Sequence, residues 1–127
     1  MDKKPKLYRD FIDCMVDVCN NGQGQISKKR ILKGLWNANA NIAKLRADNK
    51  ELQNQYKINL FLQRLTVEER EILAEICESN FRAGIFETLK YLEEFEVEPF
   101  IEGYEGSPYH DFIGRVDKND TYQWPEG

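Results

Sequence analysis

One histidine, three cysteines and four prolines among 127 residues leave little for the commonest site chemistries. The cysteines, Cys14, Cys19 and Cys77, are odd in number and form no C-x-x-C pair, which argues against a disulfide framework. Cys14 and Cys19 stand about 140° apart around a helix, so together with His110 they do not converge as zinc ligands must. Reduced thiols on apolar faces are expected, with no metal and no cofactor. G-x-S-x-G, a Walker loop, a dinucleotide fingerprint and H-E-x-x-H are all missing, and the glycines of NNGQGQ (20–25) lack a phosphate loop's Lys and Ser/Thr. No apolar run approaches the ~18 residues that cross a bilayer. After MDKKPK comes an amphipathic stretch with Asp10, Asp13 and Asp17, unlike the apolar centre of a secretory signal. A cytoplasmic location is expected.

What is present is the composition of an ordinary folded protein, 41% apolar and 31% charged, in a length suited to a single domain spanning 1–127. The net charge of −4 hides a polarity. Residues 1–65 carry 13 Lys/Arg and 6 Asp/Glu, whereas residues 66–127 carry 5 and 16. A basic helical half (6–64) and an acidic half (66–127) would attract each other, within the molecule or across a symmetric dimer.

The clearest local signals lie in Thr66–Phe95. Thr66 and Glu69 make the T-x-x-E capping box, in which each side chain satisfies a backbone N–H of the other. Ile72, Leu73, Ile76 and Cys77 then fall on one helical face, opposite Glu68, Glu71, Glu75, Glu78 and Arg82. Gly84 suits a helix end, and Ile85, Phe86, Leu89, Leu92 and Phe95 make a second stripe, so two helices broken at Gly84 are expected.

Before them, Pro5 can open a helix through Cys19 with a wide apolar arc. Ser27 is a candidate N-cap for the next helix, whose Lys28, Lys29, Arg30 and Lys33 would oppose its dipole. Leu35, Ala38, Ile42, Leu45, Asn49, Leu52 and Tyr56 recur in threes and fours, a short heptad seam on one long helix over about 28–62. The same seam, through Leu35, Ile42, Asn49 and Leu52, could pair two copies. A competing reading breaks the helix near 47–49, because Asp48 with Glu51 repeats the capping-box pattern among poor helix formers.

After Phe95 the chain turns rich in Gly, Pro and aromatics. Val97–Ile101 reads as an edge strand, Tyr109–Val116 as the best strand, DKND (117–120) as a turn and Thr121–Trp124 as its return. The expected fold class is thus α+β, mainly α, with four or five helices and a small C-terminal antiparallel β-hairpin lying on them.

No residue is assigned a catalytic role. His110 beside Asp111, with Arg115 nearby, is the one constellation resembling acid–base chemistry, but neighbouring residues of a strand point to opposite faces. Lys28, Lys29, Arg30 and Lys33 form the nucleic-acid candidate, disfavoured by an otherwise acidic chain. Tyr104, Tyr109, Tyr122 and Trp124 form the protein-binding candidate, the alternative being that Trp124 pins the tail to the helices.

The strings L-T-V-E-E-R (65–70), G-I-F-E-T-L-K-Y-L (84–92) and Y-H-D-F-I-G-R (109–115), followed by W-P-E (124–126), resemble a family of small uncharacterised bacterial proteins. Its members carry His and Asp where this chain has Phe86 and Glu87, which puts in doubt here any chemistry of that His. The resemblance implies a compact bacterial cytosolic protein and no substrate. The functional expectation is a small non-catalytic protein-interaction protein of regulatory, adaptor or immunity type with a protein partner. A hydrolase or transferase using His110 and Arg115, and a weak nucleic-acid binder using Lys28–Lys33, are the alternatives.

Overall fold

The structure, a computed structural model, describes residues 4–118 and 124–125. Its elements are α1 (Lys6–Asn20), α2 (Gln23–Lys33), a 3-10 turn (Ala38–Asn41), α3 (Ala43–Arg46), α4 (Lys50–Arg64), α5 (Val67–Glu94) and α6 (Pro108–Lys118). Among the described residues the sole β-type pairing is an isolated bridge between Gly103 and Gly106. The fold is all-α, which corrects the expected α+β class with its C-terminal hairpin.

The physical cause of that correction lies in two periods written by the same residues. Tyr109, Phe112, Ile113 and Val116 stand at i, i+3, i+4 and i+7, the spacing of one helical face. Pro108 needs no N–H partner at a first helical position, and the Ser107 carbonyl accepts from the His110 and Asp111 amides at 3.0 and 3.3 Å. The run expected as a strand therefore winds into α6, burying Pro108, Asp111, Phe112, Arg115 and Val116. Val97–Ile101 is no strand either, since the Phe100 amide donates to the Val97 carbonyl at 2.7 Å and closes a turn. Residues 119–123, which hold the end of the expected turn and most of its return strand, lie outside the described residues.

The chain divides into two compact units. The first comprises residues 1–24 and 80–127, the second Gln25–Ser79. In the first, α1 packs on α6. The core joins Tyr8, Ile12 and Cys19 of α1 with Leu89 of α5, Phe112 and Val116 of α6, and Phe100, Tyr104 and Trp124. Spacings of four and seven along α1 explain which of its apolar residues turn inward, and they leave Leu7 and Cys14 exposed. Gly24 is needed where α2 begins, because a Cβ there would lie 2.8 Å from the Cys19 backbone.

In the second unit Ile31, Leu62 and Ala74 are buried, with Trp36, Leu65, Leu73 and Cys77 packed around them. The expected long helix is here several pieces. Gly34 adopts φ +77, the Leu35 amide donates to the Arg30 carbonyl at 3.1 Å and the Gly34 amide to the Ile31 carbonyl at 3.0 Å. This is the Schellman closure of a helix end, available to glycine at no steric cost. Arg30 and Lys33 thereby fall in the last turn of α2, where the dipole favours cations, so the expected conflict does not arise. The break near 47–49 is also present, capped by Asn49, whose side chain accepts from the Leu52 amide at 3.1 Å.

Asn59, fully buried on α4, holds the chain between these helices. Its Oδ1 accepts from the Trp36 and Asn37 amides at 2.8 and 3.1 Å, and its Nδ2 donates to the Asn37 carbonyl and Asn41 Oδ1 at 2.8 and 3.0 Å. Two acceptor sites and two N–H donors are the whole capacity of an asparagine amide.

The capping box opens α5 as expected, with Thr66 N donating to Glu69 Oε1 at 2.8 Å and Glu69 N to Thr66 Oγ1 at 3.1 Å. The expected break at Gly84 is absent. A mid-helix glycine costs about 1 kcal/mol, whereas burying Leu89 and its neighbours stabilises by about 1.5–3 kcal/mol for each large side chain. Continuing the helix wins. Termination comes at Glu96, at φ 56, where the Glu96 and Val97 amides return to the Glu93 and Leu92 carbonyls.

Candidate functional site

The residues nominated for chemistry meet in the first unit, but as packing. Asp111, in the first turn of α6, is fully buried. Its Oδ2 accepts from the Tyr8 hydroxyl at 2.5 Å and the Tyr104 amide at 2.8 Å, and its Oδ1 from the Glu105 amide at 3.0 Å. Gly103 is required beside them, since a Cβ there would lie 2.5 Å from Asp111 Oδ2 and 2.7 Å from the Tyr8 hydroxyl oxygen. Burial, and then the Asp111 carboxylate, hold the Tyr8 phenol far above its ordinary range, so it remains a neutral donor. Asp111 thus fastens the loop before α6 to α1.

His110, its neighbour, is exposed and lies against the Tyr109 ring at 4.5 Å. Arg115, five residues on, points about 140° away around the helix. Its Nε donates to Asp13 Oδ1 at 3.0 Å, and its guanidinium stacks on Trp124 at 3.9 Å from the ring centroid. The Trp124 indole N–H donates to both Asp13 oxygens at 3.1 Å. His110, Asp111 and Arg115 therefore face three different surroundings. A cleft of about 250 Å³ beside Trp124 is lined by Lys6, Arg9, Asp10 and Asp13.

Of the four aromatic residues nominated for partner binding, Tyr104 and Trp124 are core, their rings 5.3 Å apart. Tyr109 is half-buried against Phe86, and Tyr122 lies outside the described residues. The cations nominated for nucleic acid are on α2. Lys28 pairs with Glu78 at 3.2 Å, Arg30 lies 5.3 Å from the Trp36 ring centroid, and Lys29 and Lys33 are exposed. Leu35, Ile42, Asn49 and Leu52 do not share one helix. They stand after α2, at the end of the 3-10 turn, at the cap of α4 and within α4. Among the described residues no group of three or more His, Cys, Asp or Glu converges as metal ligands.

The second unit carries an arrangement that sequence reasoning missed. Its buried apolar cluster is Ile31, Leu62 and Ala74, yet nine of its large apolar side chains are exposed. On α4, Lys50, Lys57 and Arg64 recur every seventh residue on the outer face, with exposed Leu60 and Phe61 between the last two. Lys57, Leu60, Gln63 and Arg64 line a cavity of about 550 Å³. On the first half of α5, Glu68, Glu71 and Glu75 flank Ile72 and Ile76, which are 60% and 51% exposed. Leu73, Ala74 and Cys77 are the residues that turn to the core.

With this geometry in view, comparison places the chain in a sequence family, since the family described as "Family of unknown function (DUF6547)" matches residues 1–126. The chain belongs to DUF6547. Neither a curated protein nor a solved structure matches it. For DUF6547 the match covers both units, so α4 and α5 with their exposed faces lie inside the family's own extent.

One signal for the outer faces was readable beforehand. Lys50, Lys57 and Arg64 at intervals of seven, with Leu60 and Phe61 at three and four from Lys57, make a mixed basic and apolar face whatever lies beneath it. The α5 face was harder to find in this DUF6547 chain, because Ile72-Leu73 and Ile76-Cys77 are apolar pairs and only the packed structure says which member turns in.

Proposed function

We propose that this protein is a small non-catalytic interaction protein of the cytoplasm, and that its contact surface is the outer side of α4 and the first half of α5. The single observation carrying this reading is the exposure of Leu60, Phe61, Ile72 and Ile76 on helices whose other faces already form the core. Exposed apolar side chains flanked by charge on the outer side of a folded unit are what a partner covers. Three cysteines with no disulfide between them fit a reducing compartment. Among the described residues no helix is long and apolar enough to cross a membrane. A hydrolase or transferase reading would draw on His110 with Arg115, and α6 turns these in different directions while Asp13 and Trp124 occupy the arginine.

The test is photo-crosslinking in living cells with benzoyl-phenylalanine at position 61 or 72, against the exposed position 88 on the far part of α5 as control. Adducts specific to 61 and 72 are expected. Equal yields at all three positions, or none, would remove the interaction reading.

A further inference from the structure

The two outer faces of the second unit match each other in spacing and oppose each other in charge. Lys57 and Arg64 on α4 are seven residues apart, about 10 Å along the helix, and so are Glu68 and Glu75 on α5. Leu60 and Phe61 fill the interval on one helix and Ile72 fills it on the other, with Ile76 beyond. Among the described residues none of these four charges has an ion-pair partner. We propose that the partner is a second copy of this chain, paired about a twofold axis so that α4 of each copy lies on the first half of α5 of the other. The proposal rests on the interaction reading given above.

Charge selects this pairing over its rivals. Placing α5 on its own counterpart would set Glu68, Glu71 and Glu75 against the same three carboxylates, and α4 on α4 would oppose Lys57 and Arg64 to themselves. Only the reciprocal contact brings unlike charges together, and it does so twice, as a twofold interface requires when residue i meets j and j meets i. Phe61 and Leu60 of one copy then cover Ile72 and Ile76 of the other. The ion pairs lie at the rim, so added salt weakens the dimer.

The experiment is sedimentation of the full chain and of two charge reversals, Lys57→Glu with Arg64→Glu, and Glu68→Lys with Glu75→Lys. At low salt the wild type is expected to have twice the 15.0 kDa mass of one chain and to lose this in high salt. Each reversed chain sets like charges against like in both contacts of its own dimer, so its dissociation constant should rise by about tenfold or more. An equimolar mixture of the two reversed chains has unlike charges in both contacts and should recover the doubled mass. Recovery on mixing also shows that the variants are folded. Helical circular dichroism checks each one alone, and for a variant that does not fold, Phe61→Ser and Ile76→Ser take its place, each expected to weaken the dimer.

A wild type that stays monomeric at every concentration, reversed chains that dimerise like the wild type, or folded reversed chains whose mixture stays monomeric would each overturn the pairing. If the wild type is monomeric while crosslinkers at 61 and 72 still capture a different protein in cells, self-pairing is wrong and the interaction reading stands. If they capture nothing, both are wrong.

Discussion

Replacing Asn59 by leucine tests whether one buried amide sets the course of the chain between α2 and α4. Leucine has the same branching and number of side-chain heavy atoms as asparagine, is bulkier and cannot hydrogen-bond, so the substitution strands the Trp36 amide, the Asn37 amide and the Asn37 carbonyl. Asn41 is exposed and turns to water without penalty. Each buried polar group left unpaired costs about 1–3 kcal/mol, and these three, on half-buried residues, belong at the lower end, roughly 3–4 kcal/mol together. Leucine returns about 1–2 kcal/mol through apolar burial and better helix propensity. The net expectation is a loss of about 2 kcal/mol. Asn59→Asp should be worse at neutral pH, because the second oxygen then meets the Asn37 carbonyl and Asn41 Oδ1 with a buried charge. Protonation removes that charge and restores a donor, so the excess loss should shrink as pH falls toward the ordinary carboxyl range. Urea unfolding followed by circular dichroism measures the total. Amide exchange at Trp36 and Asn37 separates a local loosening from a global one. If Asn59→Leu matches the wild type in midpoint and in exchange at these two amides, water serves the loop as well as Asn59 does and the assignment is wrong.

Alkali gives a second test. Unfolded tyrosine loses its proton near pH 10 while folded Tyr8 keeps its own, so the unfolded state binds fewer protons. The stability held by this proton is fully present below about pH 10 and falls above it by about 1.4 kcal/mol per pH unit. Tyr8→Phe should remove that one-proton slope from urea midpoints taken across pH 9–11, and an unchanged slope would contradict it. Gly34, just past the end of α2, and Gly84, within α5, should respond oppositely to alanine in thermal melts. Gly34→Ala forces a side chain into φ +77 against the Arg70 guanidinium and loses about 1–2 kcal/mol, whereas exposed Gly84 has nothing within 4 Å of a new Cβ and gains about 0.5–1 kcal/mol. Trp124→Ala should lower stability by about 3–5 kcal/mol, since the ring packs on Tyr8, Tyr104 and Arg115. An unchanged melt would place that ring on the surface.

Signals that act within one helical turn were legible in the chain. The Thr66–Glu69 box is local chemistry, complete in four residues, and it forms as written. The weak point at 47–49 was legible too, although Asn49 and not Asp48 is the cap. Gly34 is an equally local signal, but the apolar spacing from Leu35 onward competes with it by predicting one continuous seam. Gly84 is the reverse case, an end signal overruled by the packing of Phe81 before it and of Ile85, Leu89 and Leu92 beyond it. Glycine permits an end and does not require one, so the outcome depends on what the following residues can bury.

The α6 correction and the outer faces of the second unit share a deeper cause. An apolar side chain in a sequence states a wish to leave water, not the surface that will cover it. Phe112 and Val116 satisfy that wish on a helical face of α6 packed on α1, a partner distant in the chain that no local pattern names, while Tyr109 is half-buried and Ile113 stays exposed. Ile72 and Ile76 look the same in sequence as Leu73 and Cys77, yet the space under α5 is taken by Ala74 with Ile31 and Leu62, and one of each pair is left outside. A face stranded in this way on a folded unit is either a cost without return or the half of a contact. The seven-residue match of Lys57 and Arg64 to Glu68 and Glu75 favours the second, because stranded core residues have no reason to sit between charges that complement those of the neighbouring helix.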